Sequence, residues 1–181
     1  MKTLEDQMSF YAAYHQDARN KATHFVGVPL IAFSLMIPLG WLRADLGGFP
    51  LSAALVVTAV LLAYYLVLDI PLGLAMCVVF ALMLWSAEPL SQAPLGASAA
   101  WFLALFVGGW ALQLWGHVYE GRKPALVDNL FQVFVAPIFL AAEVFFALGY
   151  KPRLHEAVQR RALEMRAQAG AGAAPGGLKS A

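Results

Sequence analysis

The stretch Phe49–Ala87, FPLSAALVVTAVLLAYYLVLDIPLGLAMCVVFALMLWSA, decides the fold. Its single charge is Asp69, and Asp69-Ile70-Pro71 divides it into two apolar runs, Phe49–Leu68 and Ile70–Ala87. About 20 apolar residues cross the hydrocarbon core of a bilayer as a helix, within a range of roughly 17–25. Each run therefore reads as one crossing, and the tight break between them makes a helical hairpin. Working outward, Phe25–Leu42 ends at Arg43 and forms another span. A further span, Ala97–Gly116, lies inside the run Pro89–Tyr119. The last apolar stretch, Leu126–Tyr150, is interrupted by Asp128, Asn129, Gln132, Pro137 and Glu143. A carboxylate and a mid-segment proline both oppose a simple lipid-exposed span there.

These runs predict an all-α, polytopic membrane helix bundle of about four transmembrane helices. Composition agrees: 61% of the 181 residues are hydrophobic and 13% charged, where a soluble domain carries about a quarter charged. Leu4–Ala18 reads as an N-terminal interfacial helix with Met8, Phe10, Tyr11 and Tyr14 on the headgroup boundary. The polar, acidic N-terminus lacks a signal-peptide pattern, so the first span is expected to act as an uncleaved insertion signal. The domain is expected to occupy residues 1–166, followed by a flexible tail over 167–181 that includes the glycine-rich Gly170–Gly177.

Lys2, Arg19 and Lys21 precede the first span, and Arg122 and Lys123 follow the fourth, whereas the loops between hold only Arg43. The positive-inside rule places both basic groups on the cytoplasmic side. The basic tail (Lys151, Arg153, Arg160, Arg161, Arg166) stays there if the fifth segment is re-entrant or interfacial, with Pro137 at its bend. A multi-pass protein of a bacterial inner membrane, or of the endoplasmic reticulum in a eukaryote, is the corresponding expectation. The net charge of +1 offers no field for nucleic acid. Cys77, inside an apolar run, reads as a small buried hydrophobe. A homo-oligomer is left open.

An even number of crossings returns the chain to the same face, so His24, before the first span, and His117, at the end of the fourth, share one level of the bilayer. His15 leads into His24. On one continuous helix these two would lie on opposite faces, about 13.5 Å apart along the axis, so they share a site only if the chain turns between them. Asn20 is a candidate cap for that break. His117 and Glu120 form an i,i+3 pair, with Gln113 one turn earlier. Three histidines and a carboxylate with open positions suit non-haem Fe(II) and oxygen chemistry, and zinc tolerates the same donors. His155, in a charged stretch, reads as solvated. Glu143 is either functional or the partner of a basic residue. Asp128 and Asn129 read as caps of the fifth segment, and Gly108-Gly109 as a place of close helix packing. No phosphate loop, Cys-x-x-Cys pair or nucleophile elbow is present, which argues against nucleotide-dependent and serine-hydrolase chemistry.

Two motifs resemble those of the small membrane 2-hydroxy fatty acid dioxygenases. The first is Tyr11-x-x-x-His15-x-x-x-x-Asn20-x-x-x-His24-x-x-Gly27-Val28-Pro29. The second is Gln113-Leu114-Trp115-Gly116-His117, followed by Glu120 and then Pro124-Ala125. The resemblance covers roughly residues 7–150. It implies a Fe(II)-dependent dioxygenase that converts a long-chain 2-hydroxy fatty acid and O₂ to a fatty acid one carbon shorter. It further implies His15, His24 and His117 as iron ligands, Glu120 as a fourth ligand or a partner that orients an imidazole, and Tyr11, Asn20 and Gln113 as substrate-binding. A hypothesis beside it has Arg19 or Lys21 attracting the substrate carboxylate. Two other readings stand beside it. One is a b-type haem or quinone protein, with His24 and His117 as axial ligands in the haem case. The other is a non-catalytic scaffold or transporter built around Glu143.

Overall fold

The computed structural model describes residues 3–172. Its order is α1 (Leu4–Ala12), α2 (Ala18–Trp41), β1 (Arg43–Leu46), β2 (Phe49–Ser52), α3 (Ala53–Leu68), α4 (Ile70–Gln92), α5 (Leu95–Glu120), α6 (Ala125–Asp128), α7 (Gln132–Ala147) and α8 (Pro152–Gly172). Among the described residues, α2, α4 and α5 are long and apolar enough to cross a membrane, while α3 and α7 are shorter apolar helices of 16 residues. Their outward faces are apolar: Val67, Val78 and Trp85 are each more than 60% exposed. Such a surface is stable against lipid and not against water. This is a membrane protein built as an all-α bundle.

The seam between α2 and α5 organises it. The two helices run antiparallel, and glycines let their backbones meet. A Cβ on Gly27 would lie 2.9 Å from the Gly109 carbonyl, and one on Gly116 would collide with Thr23 and Asn20. Small residues at a membrane helix interface allow this approach. Gly109 has the packing role expected of the Gly108-Gly109 pair, whereas Gly108 faces open space. The seam sets His24, near the start of α2, beside His117, near the end of α5.

Several expectations change. The expected second span begins late, because Phe49–Ser52 pairs with Arg43–Leu46 as an antiparallel hairpin. The break before α2 is capped by Asp17, whose side chain accepts from the Arg19 amide at 2.8 Å, so Asn20 lies inside the helix. Helix α1 does not rest on a surface through Met8 and Tyr11; both are buried in the protein. Pro137 is not the bend of the fifth segment, since α7 continues as one helix through it. The Tyr65 hydroxyl donates to the Phe134 carbonyl of α7 at 2.6 Å, tying α3 to it. Asn129 does accept from the Phe131 amide, while Asp128 binds Tyr14 and Lys123 instead.

The basic C-terminal stretch is the helix α8, which extends through Gly172, past the expected boundary at 166; the rest of the expected tail, 173–181, lies outside the described residues. Val158 and Ala162 are buried, and Arg161 reaches Asp6 of α1 at 2.6 Å. His155 is half-buried, with one face stacked on Phe146.

Candidate metal centre

His15 sits in the turn between α1 and α2, His24 in the second turn of α2, and His117 in the last turn of α5. All three are buried, and one ligand atom from each lies within 4.8 Å of the others. The chain turns between His15 and His24, as a shared site requires. Gly121, at φ +65°, ends α5 with a left-handed residue that glycine adopts without strain, and its amide returns to the His117 carbonyl.

The rings are oriented by the backbone. His15 Nδ1 lies 2.7 Å from the Tyr11 carbonyl, and His24 Nδ1 lies 2.8 Å from the Asn20 carbonyl. A carbonyl oxygen only accepts, so both Nδ1 atoms carry the ring hydrogen. Each Nε2 then presents a lone pair, and the two Nε2 atoms face each other 3.0 Å apart. Two acceptors at that distance repel unless a cation or a proton lies between them. Burial, reinforced by His24, pushes the His15 imidazole well below its usual pKa, which disfavours the proton. His117 adds a buried Nδ1 with no hydrogen-bond partner. Imidazoles that donate one nitrogen to a backbone carbonyl and offer the other are the usual arrangement of metal-binding histidines. The donor set therefore fits a divalent transition metal. It fits a haem poorly, because the third imidazole crowds the space a macrocycle between His24 and His117 would need.

Glu120 stands apart from this triad. Its Oε2 accepts from the Gln16 amide at 3.0 Å, the Asp17 amide at 2.8 Å and Asn20 Nδ2 at 3.1 Å, and its Oε1 accepts from Arg166. Asn20 thus binds Glu120 through its amide while its carbonyl orients His24. Tyr11 stacks on His15 with centroids 4.0 Å apart, and Phe139 packs behind it. Lys21 pairs with Glu143 at 2.8 Å, which gives Glu143 the basic partner anticipated for it. Arg19 is held by Asp17 and lies over the Tyr119 ring.

The triad opens on an apolar groove lined by Tyr11, Val28, Ile31, Leu39, Leu61, Trp110 and Gln113 among others. His24 and Leu39 are fifteen residues apart on α2, or about 22 Å at 1.5 Å per residue. That exceeds half of a hydrocarbon core about 30 Å thick.

Arg166 was absent from the sequence-derived candidates. Its signal was the spacing of Leu154, Val158, Ala162 and Met165, four, four and three residues apart, which marks one apolar face within a stretch otherwise rich in charge.

The chain is 35% identical over 153 residues to the 2-hydroxy-palmitic acid dioxygenase MPO1 of Saccharomyces cerevisiae, covering 83% of this chain and 84% of the yeast protein. No solved structure matches it. A family model described as 2-hydroxy-palmitic acid dioxygenase Mpo1-like matches residues 1–148. With a match of that extent, the chain belongs to the Mpo1-like family.

Proposed function

We propose that this protein is a Fe(II)-dependent dioxygenase that shortens long-chain 2-hydroxy fatty acids by one carbon. The overall change balances as a 2-hydroxy acid plus O₂ giving the shorter acid, CO₂ and water. His15, His24 and His117 hold the metal. Iron bound there supplies the redox chemistry that engages O₂, and three imidazoles leave positions open for substrate and oxygen.

The observation that carries this reading is the pair of Nε2 lone pairs held 3.0 Å apart at the head of a long apolar groove. The groove takes the acyl chain, in contact with residues that lipid tails would otherwise touch. Tyr11 and Gln113, at the junction of groove and triad, orient the carboxylate and 2-hydroxyl. Glu120 acts on the metal through the backbone, as a positioning residue. Lys21 and Arg19 are engaged with carboxylates of the chain, which weakens a role for either in drawing in the substrate. The Lys21–Glu143 pair likewise weakens the transporter reading, because Glu143 is already compensated.

The protein is multi-pass, with the metal centre on the cytoplasmic side of a bacterial inner membrane or of the endoplasmic reticulum. Helix α7 lies at the interface, since its partners Tyr11, Lys21 and Tyr65 all belong to the histidine end.

The test is metal content and product analysis of purified wild type against His117→Ala. Wild type is expected to retain about one iron per chain and to convert 2-hydroxypalmitate to the C15 acid with O₂ uptake. His117→Ala should lose turnover by more than the 10–100-fold typical of changes outside the ligand set. Absence of iron after reconstitution, together with absence of O₂ uptake, would sink the proposal.

A further inference from the structure

We infer that α8, which lies beyond the segment matched by the family model, belongs to the architecture of the metal centre, with Arg166 as a positioning residue acting through Glu120. The family match ends at residue 148, whereas α8 covers Pro152–Gly172.

The Glu120 side chain is 1% exposed. A buried carboxylate needs both hydrogen-bond donors and a compensating charge. The Gln16 and Asp17 amides and the Asn20 carboxamide supply neutral donors; Arg166 supplies the cation. Each neutral donor belongs to a segment that carries a histidine. Gln16 follows His15, Asn20 orients His24 through its carbonyl, and Glu120 itself lies one turn beyond His117. One carboxylate therefore fastens all three ligand-bearing segments together, and the guanidinium of α8 keeps it ionised and in place.

Arg166 also grips the same turn from its other end. Its Nη1 donates to the Ala13 carbonyl at 3.3 Å, and Gln159, two turns earlier on α8, accepts from Gln16 Nε2 at 3.3 Å. The segment 13–17, with His15 at its middle, is thus bridged by one helix from outside. Loss of the guanidinium would leave a buried charge that can be relieved only by protonation or by admitting water. Either change loosens the Gln16 and Asp17 amides, and His15 moves with them.

The experiment uses full-length protein in detergent and compares Arg166→Met, Arg166→Lys and Arg160→Met, the last on the exposed face of α8. Amide hydrogen exchange of residues 13–17 and Fe(II) affinity by titration are read together. Arg166→Met should speed exchange across 13–17 by about tenfold or more and weaken Fe(II) binding by about 10–100-fold, with α7 and the rest of the bundle still protected. Arg166→Lys should recover part of both, and Arg160→Met should change neither.

Unchanged exchange and affinity in Arg166→Met would overturn the inference. So would a uniform loss of protection throughout the bundle in both Arg166 variants, which is the mark of general destabilisation. The iron readout rests on the proposed function, but the exchange readout does not. If wild type binds no iron, the function fails, and the exchange pattern alone decides the role of Arg166.

Discussion

Both ends of the bundle carry clustered polar side chains, and they differ in how completely those side chains are satisfied. At the hairpin end, Arg43 forms a two-pronged pair with Glu88 at 2.6 and 2.9 Å, donates to Ser91 at 2.8 Å and to the Gly40 carbonyl at 2.7 Å. Trp41 donates to Ser98 at 2.8 Å, closing α2 against α5. Every nitrogen of that arginine has a partner. At the histidine end, two Nε2 lone pairs face each other, and His117 Nδ1, Asn20 Oδ1 and Glu143 Oε1 are buried without partners. Unsatisfied buried polar atoms are costly and rare in native structures. A finished network is what a structural staple needs. An unfinished one, tightly oriented from behind, is what a ligand-binding centre needs.

The comparison breaks most directly if the α2–α5 seam is forced apart at one end only. Gly116→Val inserts a side chain against Thr23 and Asn20, on the turn that orients His24. Overpacking of this kind costs about 1–3 kcal/mol, and the displacement falls on the metal centre. The expected outcome is loss of nearly all bound iron and turnover, with a lowered Tm in detergent. Normal iron content in this variant would mean that the seam does not set the ligand geometry.

A smaller and more selective effect is expected along the groove. Leu39 lines its deep end, far from the histidines. Leu39→Trp should shorten the groove and exclude about two methylenes of a long substrate. At about 0.8 kcal/mol per buried CH₂, that is roughly fifteenfold in KM for 2-hydroxypalmitate. The KM for shorter 2-hydroxy acids and the iron content should remain unchanged. An equal loss for every chain length would place the acyl chain elsewhere.

Much of this contrast was legible in the chain. The charge-free runs around Asp69 mark the apolar helices, and the expected even number of crossings puts His24 and His117 at one level, where the α2–α5 seam indeed sets them side by side. The hairpin was hidden because Phe49–Ser52 is apolar enough to pass for the start of a span, although Gly47-Gly48, at φ +65° and +89°, is a recognised two-residue turn signal. Asn20 is a fair cap by type, but Asp17 takes that place because Asn20 is held inside α2 by Glu120. The fastening of Glu120 was not legible. Its four donors come from segments 46 to 104 residues away, and no local spacing encodes such a convergence. Pro137 does not mark a bend, because a proline removes only the one bond its own amide would have donated and the flanking turns of α7 carry on.

The smallest effect should come from the satisfied end. Arg43 and Glu88 keep side-chain exposures of 28% and 45%, so their pair is screened and contributes about 0–1 kcal/mol. Arg43→Met should lower Tm by no more than a few degrees and leave iron content, KM and turnover at wild-type values. The variant tests the contrast because it removes as many hydrogen bonds as the loss of Glu120 would at the histidine end, yet is expected to matter least. If it instead emptied the metal centre, the two ends would be coupled through α2, and the division into a staple and a binding centre would fail.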